Sequence, residues 1–166
     1  MRTRINQNKE EIFCDWRHKW VRLTPEEWVR QQLLHRLVEQ LGYPASLIAV
    51  EVPLEKISNL QSPISNFQSP ILPLWGSGGS PILPHLRCDA VVYNTSMQPL
   101  MLIECKAETV PLTQKTLDQA LTYNRRLGVP YLLLHNGPQS IIVRVLSDSI
   151  TLCPNIPDYA CLSANK

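Results

Sequence analysis

Leu100-Met101-Leu102-Ile103-Glu104-Cys105-Lys106 is an apolar run of strand length that ends in a carboxylate and an ammonium two residues apart. Side chains alternate between faces along a strand, so Glu104 and Lys106 point to the same side. Upstream, Arg87-Cys88-Asp89-Ala90-Val91-Val92-Tyr93 is a second strand-like run with one acid near its start. Only the turn region Asn94-Thr95-Ser96 separates the two, so pairing them as neighbours would bring Asp89 beside Glu104. Two carboxylates and a lysine at the edge of a buried sheet are costly unless they pair or hold a cation. That cost makes the trio a candidate site.

Moving outward from these strands, Glu108-Thr109-Val110-Pro111 leads into a helix expected from about Thr113 to Leu127, closed by Gly128 and Pro130. Leu117, Ala120, Leu121 and Leu127 form its apolar stripe, while Lys115, Gln119, Tyr123 and Arg126 share a neighbouring face. Arg125 and Arg126 fall in the last turn, where cations suit the helix dipole. Tyr131-Leu132-Leu133-Leu134-His135 and Ser140-Ile141-Ile142-Val143-Arg144-Val145-Leu146 read as further strands around an Asn136-Gly137-Pro138 turn. From Ser147 to Lys166 the chain is polar and proline-spotted and is expected to form a peripheral tail.

Towards the N-terminus, Thr24-Pro25-Glu26-Glu27 is a helix start: a threonine cap, proline at the first helical position and a glutamate three residues after the cap. Val29, Leu33, Leu34, Leu37, Val38 and Leu41 recur at helical spacing until Gly42 and Pro44, predicting about five turns. Glu27 lies at the margin of this stripe, and two readings compete for it: completing a capping box with Thr24, or serving the site. Earlier still, Ile12-Phe13-Cys14 and Trp20-Val21-Arg22-Leu23 predict a short strand or hairpin. The intervening Asp15-Trp16-Arg17-His18-Lys19 reads as a solvated turn rather than a basic and aromatic patch.

Leu47–Leu54 is a strand candidate ending near Pro53. Residues 57–86 differ in kind, repeating a Ser-Pro-Ile unit at Ser62, Ser69 and Ser80. The prolines block helix and central strand alike, so the segment reads as an extended low-complexity insertion. The expected order of elements is helix, strand, insertion, strand, strand, helix, strand, strand. It implies a single α/β or α+β domain over residues 1–166, with a central mixed sheet flanked by helices.

The 166 residues are 44% hydrophobic and 18% charged, which excludes disordered and fibrous classes. The net charge of +2 identifies no partner by itself. Five scattered cysteines without metal spacing suggest reduced thiols, and Cys88 and Cys105 fall inside apolar strands. The four histidines show no shared ligand spacing. A polar N-terminus and the absence of a run approaching roughly 18 apolar residues suggest a soluble cytoplasmic protein without a membrane partner.

The residues themselves have the makings of a metal-dependent phosphodiester hydrolase. Mg²⁺ takes oxygen ligands and often only one or two carboxylates, which Asp89 and Glu104 would supply. Lys106 would orient the attacking water or offset charge developing on the phosphorane. Glu27 would reach a second metal or its water. A lone Glu-x-Lys is weakly specific, most often a strand end or surface ion pair. Gln119 with Tyr123 would by itself read as a helix-surface pair.

Taken together, Asp89, Glu104-Cys105-Lys106, Gln119 and Tyr123 resemble the PD-(D/E)XK nuclease signature with its Gln-x-x-x-Tyr extension. More closely, Leu23–Gln31, Arg87-Cys88-Asp89, Ile103–Lys106, Gln119–Asn124 and His135-Asn136-Gly137 resemble the N-terminal nuclease domain of type I restriction enzyme motor subunits. The resemblance implies a restriction-endonuclease-like α/β core and Mg²⁺- or Mn²⁺-dependent DNA cleavage. It assigns Asp89 and Glu104 as metal-binding acids, Lys106 as the catalytic lysine and Glu27 as the acid on the first helix. Gln119 and Tyr123 become an auxiliary pair. Lys115 and Arg87 are candidate DNA-backbone contacts, with restriction-system subunits and a second copy of the chain as possible partners. Two departures stand out: Cys88 replaces the proline of the signature, and the insertion ends three residues before Asp89. The chain also shows no glycine-rich phosphate loop or motor motifs. The rival reading is a nucleic-acid-binding accessory module with the same fold and no useful catalysis, and RNA remains an alternative substrate.

Overall fold

The computed structural model describes residues 1–57, 87–146 and 149–164. Its centre is the antiparallel pair β5 (Arg87–Tyr93) and β6 (Pro99–Cys105), in register with Ala90 opposite Ile103. The turn between them is tied by Asn94, whose Oδ1 accepts from the Ser96 and Gln98 amides at 2.9 and 2.8 Å. On one side β5 pairs with β4 (Ile48–Pro53), and on the other β6 pairs with β7 (Tyr131–His135). Next come β8 (Ser140–Val145) and β9 (Ile150–Cys153), completing a six-stranded sheet of order β4-β5-β6-β7-β8-β9. Only β6 and β7 run parallel among these pairs. Parallel neighbours need a crossover, and α3 (Gln114–Leu127) supplies it.

Helices cover both faces, which is why β6 and β7 are apolar continuously rather than alternately. Met101, Ile103, Tyr131 and Leu133 share one buried cluster with Val29, Leu33, Leu34 and Leu37 of α1 (Pro25–Leu41). Leu102, Leu132, Leu134 and Val91 share the other with Ala120, Leu121 and Leu127 of α3. Both helices have the boundaries their local chemistry predicts. The Thr24 hydroxyl accepts from the Glu27 amide at 3.1 Å, and Gly42 ends α1 in the left-handed region at φ 69°. Thr113 and Thr116 cap α3 reciprocally, and Gly128 closes it at φ 63°. The buried Asn124 side chain then exchanges hydrogen bonds with both backbone groups of Val129, fixing the entry into β7.

Three expectations need correction. The N-terminal hairpin is a three-stranded antiparallel meander, because β1 (Thr3–Asn6) adds to β2 (Lys9–Cys14) and β3 (Lys19–Arg22). Leu54 leaves the strand and opens a single helical turn, α2 (Leu54–Ile57), whose Leu54 and Ile57 enter the second cluster. The 57–86 insertion otherwise lies outside the described residues. The stretch expected as a peripheral tail adds β9 to the sheet edge and α4 (Tyr159–Ala164) to the first cluster. Polarity hid this, since two apolar side chains suffice: Ile156 and Leu162 are 9% and 1% exposed. The Tyr43 hydroxyl donates to the Pro157 carbonyl at 2.8 Å, tying the segment down. Leu162→Ala is therefore expected to destabilise the protein by about 2–5 kcal/mol in urea denaturation, whereas a peripheral tail would give a change near zero.

Candidate active site

The site begins where β5 and β6 enter and leave the sheet. One residue beyond the Ala90–Ile103 pair, Asp89 and Glu104 stand across from one another. Asp89 Oδ2 accepts from the Cys105 amide at 2.7 Å, locking the first acid to the strand that carries the second. Lys106 Nζ donates to Glu104 Oε1 at 2.7 Å, as same-side placement requires. The Lys106 amide donates to the His135 carbonyl at 2.8 Å, so β7 holds the backbone from which this lysine projects.

These charges perturb one another. Burial raises the Asp89 carboxyl above its ordinary range despite the Cys105 amide, Arg30 and Lys106. Burial and the charge of Asp89 likewise raise Glu104. Burial would lower Lys106, but Glu104, Glu26 and Asp89 outweigh it and hold the ammonium protonated. The net effect is a carboxylate pair destabilised chiefly by burial, and at Glu104 also by the charge of Asp89, which a bound cation would relieve.

Around this pair lies a second layer of ions. Arg30 of α1 is 6% exposed. Its Nη1 donates to Asp89 Oδ1 at 2.9 Å and to Glu51 Oε1 at 2.6 Å, and its Nη2 pairs with Glu27 Oε2. Arg17 pairs with Glu27 Oε1 and lies 3.6 Å from Glu51 Oε1, so it faces inward rather than standing in a solvated turn. Gln31 also donates to Glu27 Oε1, at 2.7 Å. Burial would raise Glu27, but Gln31, Arg30 and Arg17 prevail and hold it below the ordinary carboxylate range. Glu51 has φ 54°, and the β4–β5 pairing passes over it between Val50–Ala90 and Val52–Cys88 without a change of register, while its side chain meets both guanidiniums.

Each residue singled out from sequence can now be placed. Asp89, Glu104 and Lys106 come together. Only the backbone half of the Thr24–Glu27 capping box forms, and the Glu27 carboxylate turns to Arg17, Arg30 and Gln31. Arg87, Gln119 and Tyr123 line a cavity of about 150 Å³ with Glu104 and Lys106. Lys115 is exposed and does not line it. Sequence reading missed Arg30, Arg17, Glu51 and Glu26, the last lying in the electric field of Asp89 and Lys106. Two signals were available: Arg30 precedes Leu33, Leu34 and Leu37 at helical spacing on the apolar stripe, and Glu51 interrupts an apolar strand.

Among the described residues no group of three or more His, Cys, Asp or Glu side chains is arranged to hold a metal ion. Asp89 and Glu104 nevertheless offer the all-oxygen donor chemistry that Mg²⁺ takes, for which one or two carboxylates suffice. Cys88, at the signature's proline position, is a buried thiol whose Sγ lies 3.1 and 3.2 Å from the Ala90 and Ile103 carbonyls. Burial pushes it up to about 12, so it contributes no thiolate.

A mixed sheet flanked by helices, with an acid on one strand and Glu-x-Lys closing the next, is a restriction-endonuclease-like core. Residues 25–63 and 83–157 match the type I restriction enzyme R protein N terminus, and the chain belongs to that family. A solved fragment of a protein assigned as the HsdR subunit of a type I restriction enzyme from Vibrio vulnificus YJ016 shares the fold. Its TM-score is 0.52 at 17% identity, over 86% of this chain and 25% of that one. The present chain thus spans about a quarter of that solved chain. No curated protein matches the sequence. Among the described residues no helix is long and apolar enough to cross a membrane.

Proposed function

We propose that this domain is a divalent-metal-dependent nuclease that hydrolyses DNA phosphodiester bonds, working with restriction-system subunits that deliver the DNA. The observation that carries this reading is the Lys106–Glu104 ion pair beside Asp89 at the paired ends of β5 and β6. Asp89 and Glu104 would hold Mg²⁺ or Mn²⁺. When bound, the ion supplies Lewis-acid polarisation of the scissile phosphate and activation of the attacking water. Lys106 presents a protonated Nζ that neutralises charge developing on the phosphorane oxygens. Gln119 and Tyr123 border the cavity beside this pair and would position the backbone of the substrate, with Arg87 at its rim adding a phosphate contact.

The test is cleavage of supercoiled plasmid, labelled single-stranded DNA and RNA in Mg²⁺ or Mn²⁺, together with calorimetric titration of the metal. The parent is expected to cut DNA only with metal, and Glu104→Ala to lose the activity. Mn²⁺ binding should be lost in Asp89→Ala. Equal cutting by parent and Glu104→Ala would defeat the reading. DNA binding without cutting would move the domain to the class of accessory modules.

A further inference from the structure

We propose that Arg30 is a positioning residue that fixes Asp89 Oδ1, and that Glu27 and Glu51 serve the site by holding Arg30. The inference rests on the nuclease reading for its consequence and on geometry for its content. Both Asp89 oxygens are engaged: Oδ1 by Arg30 Nη1 at 2.9 Å, and Oδ2 by the Cys105 amide at 2.7 Å. A carboxylate has about four lone-pair sites, so two remain for a cation. Asp89 is therefore oriented without being blocked.

Glu27 is in the opposite condition. It is 5% exposed and takes donors from Arg17, Gln31 and Arg30. Three of its sites are used in a buried setting, which suits a buttress better than a metal ligand. The guanidinium of Arg30 is gripped by two acids other than Asp89, so Asp89 takes its position from Arg30 rather than the reverse. Only arginine can do this, because its planar fork serves three acceptors at fixed angles while a lysine ammonium is a single flexible point. Arg17, which pairs with Glu27 and Glu51, comes from the β2–β3 turn outside the family match, so the N-terminal meander helps hold the relay.

The experiment follows the Cys105 amide resonance in ¹⁵N-labelled protein, because that amide reports where Asp89 Oδ2 is. Arg30→Met combined with Glu27→Gln removes the positioning cation without leaving its buried partner charged. In this double variant the Cys105 resonance is expected to move in the same direction as in Asp89→Asn. Arg30→Lys should give a smaller shift of the same sign. The Ser96 amide, bound to Asn94 at the far end of β5 and β6, should stay in place. Where the parent binds Mn²⁺, the double variant should bind about 10- to 100-fold more weakly, the usual penalty for losing a partner that orients a ligand. A Cys105 resonance unchanged in folded double variant overturns the proposal, as does Mn²⁺ binding equal to the parent's. If the double variant does not fold, an unchanged Cys105 resonance in Arg30→Lys overturns it equally. The amide readout needs no metal, so a parent that binds none would refute the nuclease reading while still deciding this one.

Discussion

Lys106→Ala is expected to slow metal-dependent DNA cleavage by about 10²–10⁴-fold while leaving Mn²⁺ affinity and stability close to those of the parent. On the nuclease reading the lysine would act on the developing charge without being an oxygen ligand, so its removal would take away that stabilisation and not the metal. Its contact with Glu104 Oε1 lies at side chains 30% and 33% exposed, so the pair adds only about 0–1 kcal/mol to folding. Rate and stability should therefore separate cleanly. Single-turnover cleavage, calorimetry and urea denaturation on the same preparation check this. A variant that cuts near the parental rate would remove Lys106 from the chemistry, and one that loses metal binding would recast it as support for Glu104.

Glu27→Ala is expected to destabilise the fold by about 3–5 kcal/mol, because it takes from two largely buried guanidiniums the buried acid they share and leaves only Glu51 and Asp89 to balance them. Thr24→Ala, which removes only the helix cap, should cost about 1 kcal/mol. The contrast decides between the two readings of Glu27, since a residue serving chiefly as a cap partner would give equal and small effects. The acid limb carries the same information. The folded-state carboxyl of Glu27 lies below its ordinary value, so its contribution is fully present above the unfolded carboxylate pKa and disappears as pH falls through the folded one. The fall in stability below about pH 4.5 should be shallower in Glu27→Gln than in the parent. Asp89 and Glu104 work the other way. Their raised carboxyls cost stability as pH climbs from the ordinary carboxylate range through their folded values, and neutralising either one should remove its own share of that loss.

The two central strands, both long helices and the trio of Asp89, Glu104 and Lys106 are legible in the amino-acid order alone. Each depends on neighbours close along the chain: the alternation that puts Glu104 and Lys106 on one side, the Thr24 and Thr113 caps, the stops at Gly42 and Gly128. Caps and alternation are properties of three or four consecutive residues, and they survive whatever the rest of the fold does. The partners of Glu27 come from the completed fold. Its neighbour Thr24 offered one local hydrogen bond, but Arg17 and Arg30, with the former arriving from a different sheet, offered charge in a buried place where an unpaired carboxylate is far more costly. The fold likewise brings Glu51 and Asp89, 38 positions apart in the sequence, to one guanidinium. The role of the last residues followed the same logic, because Leu162 becomes a core side chain only where α1 and the sheet leave room for it. Periodicity and caps are written locally, while the balance between desolvating a charge and pairing it depends on which groups the completed fold brings together.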